Sequence, residues 1–369
     1  MVLITTITLG ELKAFVKSEQ YLSFTDVPIS LARVTSYLNN PNGHKDDVVL
    51  YMAFIAEKLV GYRTVLADRF ECNQKKQKFG WLSGNWVHPN YRRQHISTLL
   101  FDAVIKDWNE NLLYTNYAEA SKAVYDKTAA FTIFKTLKGK RFYQRICLTE
   151  LLAPKSVFFS RIKPLLKVID WTSNLLLDLR FQFKQQKNQF NHIEKIIGED
   201  DEVTSFLMKF KTAELFKRDL KTYQWIQENP WLKTDVITER LSKKYYFSWY
   251  ASSYEYSFYK ILDKKTNVIL AVIYYSIKNK QLKIPYLYAT ENAYDLVTNF
   301  VLELAIKNKI NFATIYDEKL NEFIGNSRHL FLKQRNFEQN YMITKSLLTE
   351  YPNLKQYAIQ TGDGDGVFT

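Results

Sequence analysis

The stretch from Trp81 to Glu110, WLSGNWVHPNYRRQHISTLLFDAVIKDWNE, constrains this chain more than any other. It reads as a strand, a turn holding Pro89 and the pair Arg92-Arg93, and then a long amphipathic helix. Ile96, Leu99, Leu100, Ala103, Val104 and Trp108 recur at helical spacing and predict one buried face. A basic turn running into a helix N-terminus is also an anion site. The first amides there are unpaired, and the helix dipole favours negative charge.

At 369 residues the chain is too long for one ordinary core, so two domains are expected. Helices are expected around Gly10–Phe15 and Ile29–Leu38, then a hairpin of Val48–Ala56 and Leu59–Asp68, and a strand Phe79–His88. After the opening helix come a strand Leu112–Tyr117, a helix Ser121–Phe134 capped by Ser121, a Gly139–Arg141 turn and a strand Phe142–Leu148. Later in the chain the same order returns. Strands are expected at Tyr254–Leu262, Val268–Ile277 and Gln281–Ala289, then a helix Asn292–Lys307 and a strand Phe312–Tyr316. The expected class is α+β, with each domain a mostly antiparallel sheet flanked by helices. The expected boundaries are 1–150, a connector 151–190, and 191–369.

Net charge is +13, unevenly spread. Residues 1–150 carry 20 Lys/Arg against 14 Asp/Glu, and residues 151–190 carry 7 against 2. An anionic cofactor and an anionic surface both fit that excess. In the connector, Val157, Phe158, Leu165, Leu176 and Leu179 are interleaved with Arg161, Lys163, Lys167, Arg180, Lys184 and Lys187. Two readings stand. Either its apolar side packs between domains, or residues 155–187 lie peripherally on an anionic membrane. Cys72 and Cys147 are too few for a disulfide framework or a zinc cluster. The run Glu199–Glu202 suits a helix start better than a metal site, and no metal is expected. No apolar run reaches 18 residues and the start lacks a basic leader, which makes the cytoplasm the default. The aromatics and bases match no nucleic-acid module, so nucleic acid is not an expected partner. Nothing in the sequence fixes an oligomeric state.

Val87, Pro89, Tyr91, Arg92, Arg93, Gln94, His95, Ile96, Ser97 and Leu100 together resemble the GNAT family of acyl-CoA-dependent N-acyltransferases. The resemblance implies two tandem GNAT-like domains, with acetyl-CoA or another acyl-CoA as co-substrate and a primary amine as acceptor. It implies that Arg92, Arg93, Gln94, His95, Ile96, Ser97 and Thr98 hold the coenzyme A pyrophosphate. Asn85, Trp86 and Val87 would line the pantetheine and thioester on an interrupted strand. His95 and Ser97 stand where small glycines are usual. The resemblance makes Tyr125 the acid that protonates the departing thiolate; the alternative is that Tyr125 simply packs under the sheet. Candidate bases are His88 and Glu71, with Asp68 behind them. By analogy with N-myristoyltransferases, the terminal carboxylate at Thr369 is also a candidate.

Arg218, Asp219, Tyr223 and Trp225 resemble a segment in second domains of tandem members. At the second helix start, Ala289-Thr290-Glu291-Asn292 has no Gly or Arg, so no coenzyme A is expected there. The tail from Gly362 to Gly366 is expected to turn a short apolar strand back onto the second domain. Two other readings are kept. One is a catalytically silent GNAT-like binding protein, associated with a membrane or a partner. The other is a tandem GNAT enzyme that uses aminoacyl-tRNA or a long acyl chain.

Overall fold

The computed structural model describes residues 1–115, 125, 128–184, 192–234, 244–326 and 331–369, with backbone alone over 180–184. Twelve strands are described along the chain. They are β1 (Leu3–Thr8), β2 (Val48–Ile55), β3 (Lys58–Cys72), β4 (Lys75–Val87), β5 (Leu112–Thr115), β6 (Phe131–Tyr143), β7 (Ile193–Lys195), β8 (Tyr254–Leu262), β9 (Ile269–Lys278), β10 (Gln281–Ala289), β11 (Phe312–Ile315) and β12 (Lys333–Thr344). The chain folds as two compact units. The first holds Met1–Leu137, Gly198–Tyr254 and Gln339–Thr369; the second holds Lys138–Ile197 and Glu255–Glu338.

Both units use the same run of elements. In the first, β2, β3 and β4 are antiparallel, the Ile96–Asp107 helix follows, and β5 returns parallel to β4. In the second, β9 and β10 are antiparallel, the Tyr294–Lys307 helix follows, and β11 returns parallel to β10. Tight hairpins build these meanders. Ala56-Glu57, Asn73-Gln74 and Asn279-Lys280 each have positive φ at both residues. That turn matches the right-handed twist of the strands it joins. The architecture is mixed α+β with mostly antiparallel pairing, as the alternating sequence pattern predicts.

The last strands are exchanged. Lys140–Tyr143 of β6 pairs antiparallel with β11 in the second unit, while Tyr341–Ile343 of β12 pairs antiparallel with β5 in the first. The units are therefore discontinuous in sequence, whereas the boundaries drawn at 150 and 191 treat each as one segment.

Helices cover both faces of the first unit's sheet. Ile96, Leu100, Phe101 and Val104 pack with Tyr51, Ala53, Val65, Ala67 and Leu82 on one face. Each such burial contributes roughly 1.5–3 kcal/mol before entropy is counted. On the other, the Leu31–Leu38 helix buries Val34 and Tyr37, and Trp225 Nε1 donates to Ser36 O at 2.7 Å. Trp225 lies on the Leu220–Glu228 helix, so the Arg218–Trp225 segment belongs to the first unit rather than the second domain.

Some sequence expectations change. Leu99 is 39% exposed and Phe101 is buried in its place, while Ile96, Leu100, Val104 and Trp108 point inward as expected. Phe131–Phe134 is strand rather than helix end, and Gly139–Arg141 lies inside β6 rather than in a turn. A Cβ on Gly139 would fall 2.6 Å from Tyr316 Cδ1, so this glycine serves close packing. The strand expected to reach Leu148 stops at Tyr143, and a helix starts at Leu148. Tyr117, Ser121 and Lys187 lie outside the described residues.

Candidate active site

In the first unit, β4 is interrupted at Gly84. Arg63 faces Asn85 and Thr64 faces Ser83, which leaves Gly84 as an extra residue with φ +46. This is a β-bulge at a glycine inside a strand. A Cβ there would meet Thr64 Oγ1 at 2.9 Å. Just before the bulge, β4 forks from its neighbour. Among the described residues it pairs with β5 only at Gly80↔Leu112 and Trp81↔Leu113. Beyond Trp81, that edge offers backbone groups to an extended, amide-bearing ligand.

Neighbouring residues on β3 point to opposite faces, and each face carries a buried arginine beside the bulge. On the face of the Ile96–Asp107 helix, fully buried Arg63 donates from Nη1 to the Tyr125 hydroxyl at 2.9 Å. Its guanidinium also lies 5.3 Å from the ring centroids of Phe101 and Tyr125. Arg63 Nε and Nη2 have no hydrogen-bond partner among the described residues. Tyr125 packs 4.2 Å from the Tyr114 ring and 5.4 Å from Phe131. It is thus a core residue whose hydroxyl is held. Since that oxygen accepts from Arg63, the phenolic proton is directed elsewhere. Asn85 Nδ2 donates to Ser97 Oγ at 3.1 Å and ties the helix start to β4.

On the opposite face, Arg33 is 4% exposed, donates from Nη1 to Ser83 Oγ at 2.9 Å, and lies 3.8 Å over the Trp231 ring. Ser83 Oγ in turn donates to Asp365 Oδ2 at 2.5 Å. Burial raises the Asp365 carboxyl above the ordinary carboxylate range, against the Ser83 hydrogen bond and the Arg33 charge. Thr64 Oγ1 donates to Ser83 O at 3.0 Å. Asp365 reaches this place because the tail inserts at the fork. A Cβ on Gly364 would lie 3.6 Å from Thr115 Cγ2 and 3.8 Å from Trp81 Cζ3. Phe368 then stacks on Trp231 at 4.8 Å. The tail therefore packs in the first unit as a short helical turn, Asp365–Phe368, and not as a strand on the second domain. Its other carboxylate, Asp363, accepts from Arg218 Nε at 3.2 Å; burial pushes it up to about 6. At the end, Thr369 N donates to Gly366 O at 3.4 Å.

The loop residues fall as follows. Arg93 and His95 both have left-handed backbone, φ 63 and φ 60. At the usual glycine position the backbone thus keeps a glycine-like turn around an imidazole, which costs roughly 1–2 kcal/mol. Arg92, Arg93, Gln94 and His95 are exposed, Ser97 and Thr98 half-buried and Ile96 buried. Trp86 is buried and stacks on Tyr62 at 5.2 Å, while Val87 closes β4. His88 acts as a turn cap: its Nδ1 accepts from Asn90 N at 3.2 Å, and its ring meets Trp86 edge-on at 5.8 Å.

Two candidate bases are engaged elsewhere. Glu71 lies eight strand positions beyond Arg63 on β3, roughly 26 Å along it. Its Oε1 accepts from Lys217 Nζ at 2.8 Å, which holds the carboxyl below its ordinary range. Asp68 accepts from Arg218 Nη1 and Nη2 at 2.7 Å each, from Trp81 Nε1 at 2.8 Å and from Asn42 Nδ2 at 2.9 Å. A carboxylate with that many donors is a structural anchor. Sequence reasoning missed Arg33, Arg63, Ser83 and Asp365. Gly84, the second glycine inside the Phe79–His88 strand pattern, was the available signal. In the second unit, the equivalent helix start carries Glu291, ion-paired to Lys319.

Residues 18–131 match the model of the Acetyltransferase (GNAT) family. No curated protein matches the chain. Among solved structures it is similar to Saccharomyces cerevisiae N-myristoyltransferase with bound myristoyl-CoA, at 10% identity and TM-score 0.51, over 93% of this chain and 79% of that one. It is also similar to GCN5-related N-acetyltransferases from Kribbella flavida and Anabaena variabilis. The first has 12% identity, TM-score 0.43 and coverage of 93% and 70%. The second has 10% identity, TM-score 0.46 and coverage of 93% and 72%. The chain has the GNAT fold.

Proposed function

We propose that this GNAT-fold chain is an acyl-CoA-dependent N-acyltransferase whose reaction centre lies at the Gly84 bulge of the first unit. One observation carries the reading: Tyr125 and Asp365 approach the same interruption of β4 from opposite faces, each beside a buried arginine. Amine attack on a thioester needs a proton acceptor on the nucleophile's side and a proton donor on the sulfur's side. The forked β4 edge suits the pantetheine amides, and the exposed bases Arg92 and Arg93 beside the helix start suit the pyrophosphate.

In this reading, Asp365 accepts the proton of an incoming ammonium or amine, and Ser83 and Arg33 hold the carboxylate in place. The N–C bond forms, and the carbonyl oxygen takes up negative charge near the backbone amides freed by the bulge. The C–S bond then breaks. Tyr125 passes its proton to the sulfur, and Arg63 stabilises the phenolate left behind. Acetyl transfer to a primary amine is the simplest form. The similarity to an enzyme solved with myristoyl-CoA keeps longer acyl groups in the test.

The test is thiol release from acetyl-, octanoyl- and myristoyl-CoA, each with a panel of primary amines. One pairing should give amine-dependent release well above hydrolysis. Hydrolysis-level release with every pairing would favour a silent binding protein.

A further inference from the structure

The connector helix Lys163–Lys184 is held to the rest of the second unit by polar side chains. Asp170 accepts the backbone amides of Leu148 and Thr149 at 2.7 and 2.9 Å. Asn174 forms a two-way pair with the Ile146 backbone, at 2.9 Å to its N–H and 2.7 Å to its carbonyl. Asp178 is ion-paired with Arg145 and, at 3.4 Å, with Lys309. These three anchors fix the rotation of the helix and turn its apolar stripe outward, Leu176 to 70% exposure. They also set the helix along one side of a cavity of about 640 Å³, a volume suited to a small molecule. Every residue lining that cavity belongs to the second unit.

The lining is unbalanced in charge. Five bases, Arg145, Lys163, Lys167, Lys280 and Lys309, face three acids, Glu150, Asp170 and Asp178, a net of +2. All three acids are engaged within the protein. Asp170 and Asp178 make the anchors above, and Glu150 accepts from Gln281 Nε2 and, at 3.1 Å, from Asn311 Nδ2. Lys163, Lys167 and Lys280 have no carboxylate partner among the described residues. Gathering such bases from a helix and from the β9–β10 hairpin is unfavourable unless an anion meets them. Arg145 is 8% exposed, yet its Nε has no hydrogen-bond partner among the described residues, and neither has the buried Thr149 Oγ1 in the same lining. Beside the bases stands an apolar wall. Trp171, one turn after Lys167 and 68% exposed, borders the cavity with Leu175. We infer that this cavity binds a small phosphate monoester, its dianion on the bases and a planar body against Trp171. Such a group carries about −1.5 to −2 near neutral pH, which matches the surplus charge, and arginine and lysine are its usual donors. Cys147 also lines the cavity, but burial and the Glu150 and Asp170 carboxylates push its thiol up to about 12. A thiol held protonated is no nucleophile, so the cavity holds its ligand without attacking it. The inference stands apart from the acyl-transfer reading.

Calorimetry of the full chain with phenyl phosphate, inorganic phosphate and phenol, at rising salt, tests it. Phenyl phosphate should bind more tightly than inorganic phosphate and weaken with salt, and phenol should not bind. Lys163→Gln/Lys167→Gln should weaken phenyl phosphate roughly tenfold, about threefold per base. Both lysines are exposed, so the melting temperature should not change. Trp171→Ala should weaken phenyl phosphate roughly two- to tenfold and leave inorganic phosphate unchanged. Arg92→Ala/Arg93→Ala should leave the binding of both phosphates as it is. No binding of phenyl phosphate at millimolar concentration, equal affinity for inorganic phosphate, or undiminished binding by the lysine variant overturns the inference. So does a loss confined to Arg92→Ala/Arg93→Ala, because that puts the phosphate at the head of the Ile96–Asp107 helix.

Discussion

Asp365→Asn is expected to lower the rate of acyl transfer by roughly 10²–10⁴-fold, the usual contribution of a general base. Asn keeps the shape of the side chain and still accepts from Ser83 Oγ, so the fold and the Arg33 contact should survive. The pH profile makes the assignment specific. Burial raises the Asp365 carboxyl, so its reactive, ionised form is populated only above a pH higher than for a free aspartate. Wild-type kcat/KM should rise through that pH, and the rising limb should vanish in the variant. The sign for stability runs the other way. A carboxyl raised in the folded state holds its proton more tightly there than in the unfolded chain. Wild type therefore loses stability relative to Asp365→Asn as pH rises from the unfolded to the folded value. Wild-type rates in the variant, with the limb intact, would remove Asp365 from the chemistry.

Asp68→Ala should cost about 3–5 kcal/mol of folding stability, the range for breaking one side of a buried ion pair. Asp68 is 4% exposed and joins β3 to Arg218, the Trp81 indole and Asn42. Arg218 in turn carries Asp363, so the same network fastens the tail that delivers Asp365. The substitution should loosen the tail and lower activity, but through the melting temperature rather than through a titration. Chemical denaturation measures the loss, and a change below about 1 kcal/mol would show that the network is not an anchor. The Glu71–Lys217 pair is a half-exposed contrast, of a kind usually worth less than about 1 kcal/mol.

Local patterns carried much of this fold. The hairpins, the Ile96–Asp107 helix and the repeat of the same run after residue 254 follow from alternation, helical spacing and turn residues. The strand exchange was not visible, because β6 and β12 look alike whichever sheet they join. Non-local pairing leaves no mark on a short window. The site divided in the same way. Asn85, Ser97 and the Arg92–Thr98 turn are neighbours in sequence and were readable. Asp365 meets Ser83 across 282 positions, and Arg33 meets it across 50. The tail's Gly and Asp residues marked a turn, and nothing local showed that the turn enters the first unit. The connector failed differently: its apolar stripe was legible, but the stripe points outward because Asp170, Asn174 and Asp178 hold the other side.

Calorimetry of the full chain with acetyl-CoA and myristoyl-CoA tests the central claim most directly. One acyl-CoA should bind per chain at sub-millimolar concentration, with an affinity that falls as salt rises. Arg92→Ala/Arg93→Ala should weaken that binding and flatten its salt dependence while leaving the melting temperature unchanged. No binding of either acyl-CoA, or equal affinity in the double variant, would contradict a cofactor site at the head of the Ile96–Asp107 helix.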